Sequence, residues 1–289
     1  MTAAELLTTV AQLSGLIFVV TSMLAMGMSL TIAQIVEPLR NVRLVVLALL
    51  ANFVLVPALA YLIAAVIPID DDLRTGLIVL ATAAGAPFLP KLVQVAHGPI
   101  ALGVGVMVLL MLVTIAYLPI VLPLLLPGVD VDPWSIAQSL VVLMLVPLAI
   151  GLLIRANAAS TAAEYGPVFT KASSLAIVIL MVAGLALSAR NILGLLGTGG
   201  IVALLLFVAG LLAIGVVLGG RDPGTRAVLG LGTAQRNVSA ALVVTAQNFG
   251  TDTLTFVLVG AIVMLLILMP VARRLGGGTA PAGEGAVAA

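Results

Sequence analysis

The chain has 289 residues, of which 63% are hydrophobic and 8% are charged, and its formal net charge is +1. Its mean hydropathy is +1.34, which leaves too little polar surface to cover a water-soluble particle of this size. These values exclude a soluble enzyme, a disordered chain and a nucleic-acid-binding protein. Because the chain has no cysteine and a single histidine, His97, we expect neither a metal site nor a cofactor.

Apolar stretches of roughly 20 residues recur along the whole chain, and each is long enough to cross a hydrocarbon core. The sequence therefore predicts an all-α polytopic membrane protein with one transmembrane domain over residues 1–275. A Gly- and Ala-rich tail over 276–289 is predicted to be disordered. In chain order, the nine predicted spans lie near residues 8–30, 43–66, 74–96, 99–127, 133–155, 168–190, 199–219, 225–248 and 252–275.

The distribution of lysine and arginine between the two sides of the predicted bundle sets its orientation. Eight of these residues fall on one side, and two, Arg74 and Arg190, fall on the other, where aspartates such as Asp130 collect. We therefore expect a bacterial inner-membrane protein with its N-terminus outside and its C-terminus in the cytoplasm. The eight cations on the cytoplasmic side are Arg40, Arg43, Arg155, Lys171, Arg221, Arg226, Arg273 and Arg274.

Two parts of the chain align with each other. Arg74 is followed after 24 residues by Gly98, and Arg226 is followed after 24 residues by Gly250, at an offset of 152 residues. Since five spans separate equivalent positions, the two copies have opposite topology, which is typical of secondary transporters. The predicted order is repeat one, a linking helix and repeat two, over 8–127, 133–155 and 168–275.

The third and eighth spans are interrupted in their middle. Residues 84–91 read AGAPFLPK, and two prolines three residues apart, Pro87 and Pro90, cannot both sit inside a regular helix. Residues 232–239 read GTAQRNVS, a polar cluster in an otherwise apolar segment. Non-helical backbone at mid-membrane depth survives only where it is buried in protein or lines a cavity, so these breaks predict a binding site.

Two cations, Lys91 and Arg236, lie inside predicted spans, whereas all eleven acidic residues fall in loops, helix ends or tails. A cation at the membrane centre costs about 2.5 to 3.5 kcal/mol and therefore needs a partner. Three partners are possible for these cations: carbonyls at the helix breaks, water in a cavity, and an anionic ligand. Lys91 is also a candidate for proton coupling, because a buried lysine can lose its proton.

At these residues the chain resembles the bile acid:sodium symporter superfamily, over roughly residues 10–275. The resemblance implies a core domain with two crossing discontinuous helices, and a second, panel domain. It also implies alternating-access transport of organic anions such as bile acids, steroid sulfates, keto acids or pantoate, in many members with sodium. The matching segments are 26–30 (MGMSL), 51–57 (ANFVLVP), Gly85, Gly98 and the pair Arg236 and Asn237, where the family has Gln-Asn.

The chain departs from the family at the positions where sodium is expected to bind. Members that use sodium carry a Ser-Asn pair in the first crossing helix, and here Leu89 and Pro90 stand at those positions. The family's Glu in the second crossing helix is Gly232, and its Gln is Arg236. We therefore expect sodium-independent transport in which Arg236 and Lys91 replace the cation.

The predicted substrate site lies at the two breaks, where polar side chains would orient a small organic anion within the lipid bilayer. If sodium does bind, its expected ligands are Asn237, Thr233 and Asn52. The candidate substrate-binding residues are Asn237, Arg236, Lys91, Gln235, Ser239, Thr233 and Asn52.

Two alternatives stay open. One is a sodium-coupled organic-anion symporter, and the other is a non-transporting ligand-binding receptor on a transporter fold. An intramembrane enzyme is disfavoured, because its site would need His-Glu or Ser-His pairs that a single histidine does not supply. The sequence therefore predicts a transporter. Its predicted partners are an organic anion as the substrate and, as a possible coupling ion, sodium or a proton.

Overall fold

The computed structural model describes residues 3–126, 132–187 and 197–276. Every regular element in these ranges is a helix, which confirms the all-α architecture predicted from the sequence. Among the sequence features discussed above, Asp130, Arg190 and the tail over 277–289 lie outside the described residues.

The elements of the first half are, in chain order, α1 (Ala3–Ser29), α2 (Ile32–Val36), a 3-10 turn (Glu37–Arg40), α3 (Val42–Leu50), a π-helical turn (Ala51–Leu55), α4 (Val56–Val66), α5 (Asp71–Thr82), α6 (Leu89–Val95) and α7 (Ile100–Leu125). Those of the second half are α8 (Pro133–Leu140), a second π-helical turn (Val141–Leu145), α9 (Val146–Asn157), α10 (Ala159–Leu187), α11 (Gly200–Leu218), α12 (Pro223–Ala234), α13 (Val238–Asn248) and α14 (Thr251–Gly276). The π-helical turns do not interrupt their helices, so α3–α4 and α8–α9 are each one continuous rod.

Within the described residues, eight segments are long and apolar enough to cross a membrane, and the chain is a multi-pass membrane protein. They correspond to eight of the nine predicted spans. The third predicted span, 74–96, is instead the two short helices α5 and α6, neither of which is long enough to cross alone. Pro87 lies between these helices and Pro90 lies in the first turn of α6, where a missing N–H leaves no helical hydrogen bond unmade.

The two discontinuous helices occupy matching places in the chain. The first is α5 and α6, interrupted at residues 83–88, and the second is α12 and α13, interrupted at residues 235–237. α12 begins and ends 152 residues after α5, and a 26-residue helix follows each pair. This is the offset at which the polar residues align in the sequence, and the opposite topology of the two repeats stays a prediction.

The helices pack in two groups. α1, α9 and α10 pack closely against one another. Gly27 on α1 permits this contact, since an added Cβ would lie 2.3 Å from the carbonyl oxygen of Leu148 on α9. α11 packs on α12, and α14 packs on α5 and α13, so both discontinuous helices belong to the second group. Between the two groups, α1 contacts α13 and α10 contacts α14.

The first break lies directly against α7. Gly85 has a φ of +78°, and a Cβ at this position would lie 2.1 Å from the backbone nitrogen of Met111. The hydroxyl of Thr114 accepts a hydrogen bond from the Ala84 N–H at 3.0 Å and donates one to the Ala84 carbonyl at 3.1 Å. The non-helical backbone is therefore buried in protein and paired, as a position within the membrane requires.

We predict that Gly85→Ala strongly lowers the melting temperature of the purified protein. Strain of a left-handed backbone and a clash with the α7 backbone act together there, and each is worth about 1 to 3 kcal/mol. Gly220→Ala is the matched control, because φ is +69° there too but no atom lies within 4 Å of the added Cβ. Thermal unfolding in detergent measures both variants, and equal losses would contradict the close contact between the break and α7.

Candidate functional site

The C-terminal ends of two half-helices converge where the discontinuous helices cross. α5 ends at Thr82 and α12 ends at Ala234, and the last four carbonyls of a helix have no donor within that helix. The helix macrodipole adds about half a negative charge to each such end. The crossing therefore presents two negative helix ends that need donors from elsewhere.

Arg236 supplies donors to both helix ends, and its side chain is completely buried. Nε donates to the carbonyl of Leu80 at 2.9 Å, and Nη2 donates to the carbonyl of Ala81 at 2.9 Å, both in the last turn of α5. Nη1 donates to the carbonyl of Thr233, in the last turn of α12, at 3.1 Å. Within the described residues, the partners of this guanidinium are carbonyl and amide oxygens rather than carboxylates.

Asn52, on the α3–α4 rod, provides the fourth hydrogen-bond acceptor for the Arg236 guanidinium. Its Oδ1 accepts a hydrogen bond from Arg236 Nη1 at 2.7 Å, the shortest of the four bonds to the guanidinium. Its Nδ2 donates to the carbonyl of Ala48 at 2.9 Å and to Thr233 Oγ1 at 3.4 Å. A charged donor makes the first of these bonds the strongest. The amide in the middle of an apolar span thus has the polar partner that its burial requires.

A π-helical turn positions Asn52. The turn spans residues 51–55 and ends two residues before Pro57, which has no N–H to give to the carbonyl of Phe53. The hydroxyl of Tyr117 on α7 donates to that carbonyl instead, at 2.9 Å. Such turns are frequent at functional sites, and α7 holds this one as it holds the first break.

The second break joins the first through its backbone. The N–H of Asn237 donates to the carbonyl of Ala83 at 2.9 Å. Asn237 Oδ1 accepts from the N–H of Ala240 at 3.1 Å and so caps the start of α13. This residue therefore fixes both the crossing of the two breaks and the N-terminus of the following half-helix.

Three buried polar atoms at the second break have no hydrogen-bond partner within the described residues. They are Gln235 Oε1, Asn237 Nδ2 and Ser239 Oγ, on side chains that are at most 5% exposed. Buried polar atoms in native proteins are nearly always paired. An acceptor, a donor and a hydroxyl are therefore available at this break for a small polar ligand.

Apolar packing fills the neighbouring part of the crossing. Gly232 on α12 faces Leu89 at the start of α6, and an added Cβ would lie 3.0 Å from Leu89 Cδ2 and 3.9 Å from Val106 Cγ1. Leu89 is 1% exposed. Two positions at which the resemblance implies a Glu and a Ser thus face each other as Gly and Leu, and their side chains offer no oxygen.

Lys91 is not part of the cluster around Arg236, which corrects the prediction made from the sequence. Leu89 and Leu92 on α6 are buried, whereas Lys91 is exposed and its Nζ donates to Gln94 Oε1 at 3.0 Å. The helical period turns Lys91 away from the packed face of α6. Because Lys91 is not a buried lysine, the reason for expecting it to replace the cation or to carry a coupling proton is wrong.

The described structure brings the other six predicted residues together and adds two that were missed. Within the described residues, no group of three or more His, Cys, Asp or Glu side chains could hold a metal ion. Thr114 and Tyr117 were missed, although a hydroxyl in the otherwise apolar α7 was an available signal for Thr114. The predicted residues that meet at the crossing are Asn52, Thr233, Gln235, Arg236, Asn237 and Ser239.

A comparison with protein families matches the chain to one of them. The model of the Sodium Bile acid symporter family matches residues 16–195, a range that contains Asn52 and the discontinuous helix α5–α6. No curated protein matches the chain. The matched range ends before α11, so Arg236 and the second discontinuous helix follow it in the chain.

We predict that Asn52→Ala destabilises the protein much more than Asn248→Ala. Both asparagines donate Nδ2 to the carbonyl four residues earlier at 2.9 Å, but only Asn52 also accepts from Arg236. A hydrogen bond to a charged group contributes about 1.5 to 3 kcal/mol, against about 1 kcal/mol for the control. Denaturant titration measures the apparent free energy of unfolding, and similar losses would contradict the importance of the bond to the guanidinium.

Proposed function

The chain belongs to the sodium bile acid symporter family, and we propose that it is a secondary active transporter of a small organic anion that works without sodium. The family consists of transporters of the organic-anion symporter type rather than enzymes. The absence of sodium coupling, the substrate site and the alternating movement are the parts of this proposal that belong to this chain in particular.

The hydrogen-bonded environment of Arg236 is the observation that carries the proposal. In secondary transporters, half-helix C-terminal ends and unwound carbonyls coordinate the coupling cation. Here carbonyls of this kind from α5 and α12, together with Asn52, bind a guanidinium. A cation that is covalently part of the chain cannot be released on one side of the membrane. It therefore cannot link transport to an ion gradient.

The packing beside Arg236 supports the same proposal. A sodium ion needs several oxygen ligands, and carbonyls or polar side chains normally supply them in transporters. At positions where the resemblance implies a Glu and a Ser, Gly232 has no side chain and Leu89 has an apolar one, so neither side chain offers an oxygen ligand. We infer that this part of the crossing holds no sodium either.

The substrate is proposed to bind at the second break. Gln235, Asn237 and Ser239 carry the unpaired buried atoms at this place. α13 begins here, and the N–H groups and positive dipole of a helix N-terminus favour an anionic group. A small anion that also has a hydroxyl group could engage all three side chains, because its anionic group accepts from Asn237 Nδ2 and Ser239 Oγ and its hydroxyl donates to Gln235 Oε1.

The remaining candidate residues are proposed to act around the substrate rather than directly on it. Arg236 is hydrogen-bonded to Asn52 and to the carbonyl of Thr233, and Asn52 is hydrogen-bonded to Thr233 Oγ1. These bonds fix the helix ends, and Arg236 adds positive potential to the site. Lys91 lies on the exposed face of α6 and is proposed to attract the anion on its way to the break.

Movement of the panel against the core would give alternating access to this site. In this proposal α1, α9 and α10 rock against the group that contains the two discontinuous helices. Without a coupling ion, the cycle is exchange of anions, in which the gradient of one anion drives the movement of the other. The lysine and arginine distribution supports an orientation with the C-terminus in the cytoplasm, and the proposed location is the bacterial inner membrane.

A sodium-coupled symporter is the weaker candidate. Its sodium ligands would be Asn237, Thr233 and Asn52. The amide oxygen of Asn52 accepts from Arg236, and that of Asn237 caps α13, so both of these oxygens are engaged.

Counterflow in sodium-free liposomes tests the proposed function. Liposomes with the purified protein are loaded with unlabelled taurocholate, a steroid sulfate or pyruvate, and entry of the same labelled anion is followed. We predict a transient excess of label inside for at least one of these anions, with protein-free liposomes as the control. Binding of the label without any excess would indicate a receptor, and an excess that requires added sodium would contradict sodium independence.

Two lysine variants extend this assay. Lys91→Gln is expected to slow entry several-fold at low anion concentration, with a smaller effect at saturation, because it removes an attracting charge. Lys171→Gln is the matched control, since Lys171 is also exposed but lies on α10. Equal behaviour of the two variants would contradict the proposed role of Lys91.

A further inference from the structure

A recess of about 230 Å³ lies away from the crossing, between the start of α3 and the connection from α11 to α12. Arg43 lines it from α3, and Arg221 lines it from the connection. None of the residues at the two breaks contributes to it. The recess is therefore separate from the proposed substrate site.

The polar groups in the recess leave its two arginines free. Within the described residues, the side chains of Arg43 and Arg221 have no hydrogen bond or ion pair, and both are exposed. The carboxylate of Asp222 accepts from the N–H of Thr225 at 2.7 Å, and hydrogen bonds from Thr225 hold the pKa of Asp222 below its ordinary value. Asn41 Oδ1 is likewise bonded, to the N–H of Leu44 at 3.1 Å. The recess carries a net positive charge with two guanidinium groups open to an anion.

The surroundings of the recess are apolar on the membrane side. Leu47 and Leu218 line its inner part. Val42, Val46 and Val217, on the same two helices, are exposed. Both helices are candidate membrane spans by length and composition. The positive recess thus lies at the end of two such spans, next in the chain to exposed apolar side chains.

We propose that this recess binds the phosphate headgroup of an anionic phospholipid, with an acyl chain lying against the exposed apolar residues of α3 and α11. Basic pockets between membrane helices at the headgroup level recognise anionic lipid headgroups. The lipid would contact both the start of the α3–α4 rod, which carries Asn52, and the start of α12. The C-terminal end of α12 lies at Arg236 and its hydrogen-bond partners. Its binding would therefore stabilise the core domain.

Lipid-dependent unfolding tests this site. In detergent micelles, phosphatidylglycerol is expected to raise the melting temperature of the wild type more than phosphatidylcholine does. The double variant Arg43→Gln/Arg221→Gln should lose this difference, with an affinity for phosphatidylglycerol that is lower by about tenfold or more. The control Arg273→Gln/Arg274→Gln removes the same charge from two exposed residues outside the recess and should keep the difference.

The outcomes separate the possible sources of the anion. A double variant that responds to phosphatidylglycerol like the wild type would overturn the proposal. Stabilisation by inorganic phosphate or glycerol phosphate to the same extent as by the lipid would overturn it too, because the site would then serve a soluble anion. If the double variant does not fold, native mass spectrometry of the wild type decides. One retained phosphatidylglycerol in preference to phosphatidylcholine supports the site, and equal retention overturns it.

Discussion

The crossing depends on a buried guanidinium that lies between two helix C-termini. Taking a charged group out of water costs several kcal/mol, and only well-placed partners offset that cost. Leu80, Ala81 and Thr233 provide carbonyls that lack donors within their helices, and Asn52 provides an amide oxygen. The buried charge and the unpaired carbonyls therefore satisfy each other. Without Arg236, two negative helix ends would face each other in a medium that offers little water.

This pairing accounts for the packing around it. Because the negative helix ends are neutralised from within the chain, apolar packing of Leu89 on Gly232 can fill the space beside them. Thr114 and Tyr117 on α7 hold the first break and the π-helical turn, so the donors and acceptors keep their places. The positive end of α13 lies on the other side of the break, where an anion would find unpaired polar groups.

The helix breaks could be predicted from the sequence because Pro87 and Pro90 interrupt an apolar run, and proline has no N–H to continue a helix. Carbonyls at the breaks were one of three partners left open for Arg236. The particular carbonyls could not be predicted, since Leu80 and Ala81 take part through backbone groups that any residue provides. Lys91 was misplaced for a geometric reason. It lies on a seven-residue helix whose start is set by the break, and a shift of one residue turns a side chain by about 100° around the axis.

The most direct test of Arg236 as a tethered cation is thermal unfolding of the wild type and Arg236→Gln in sodium chloride and in choline chloride at equal ionic strength. An ion that binds only the folded protein raises its melting temperature. If Arg236 fills the place of the cation, the wild type melts at the same temperature in both salts. Arg236→Gln then melts at a lower temperature, which sodium partly restores, because the oxygen ligands are open to a small cation. A wild-type melting temperature that rises in sodium but not in choline would contradict this, since a mobile ion would then bind beside the guanidinium.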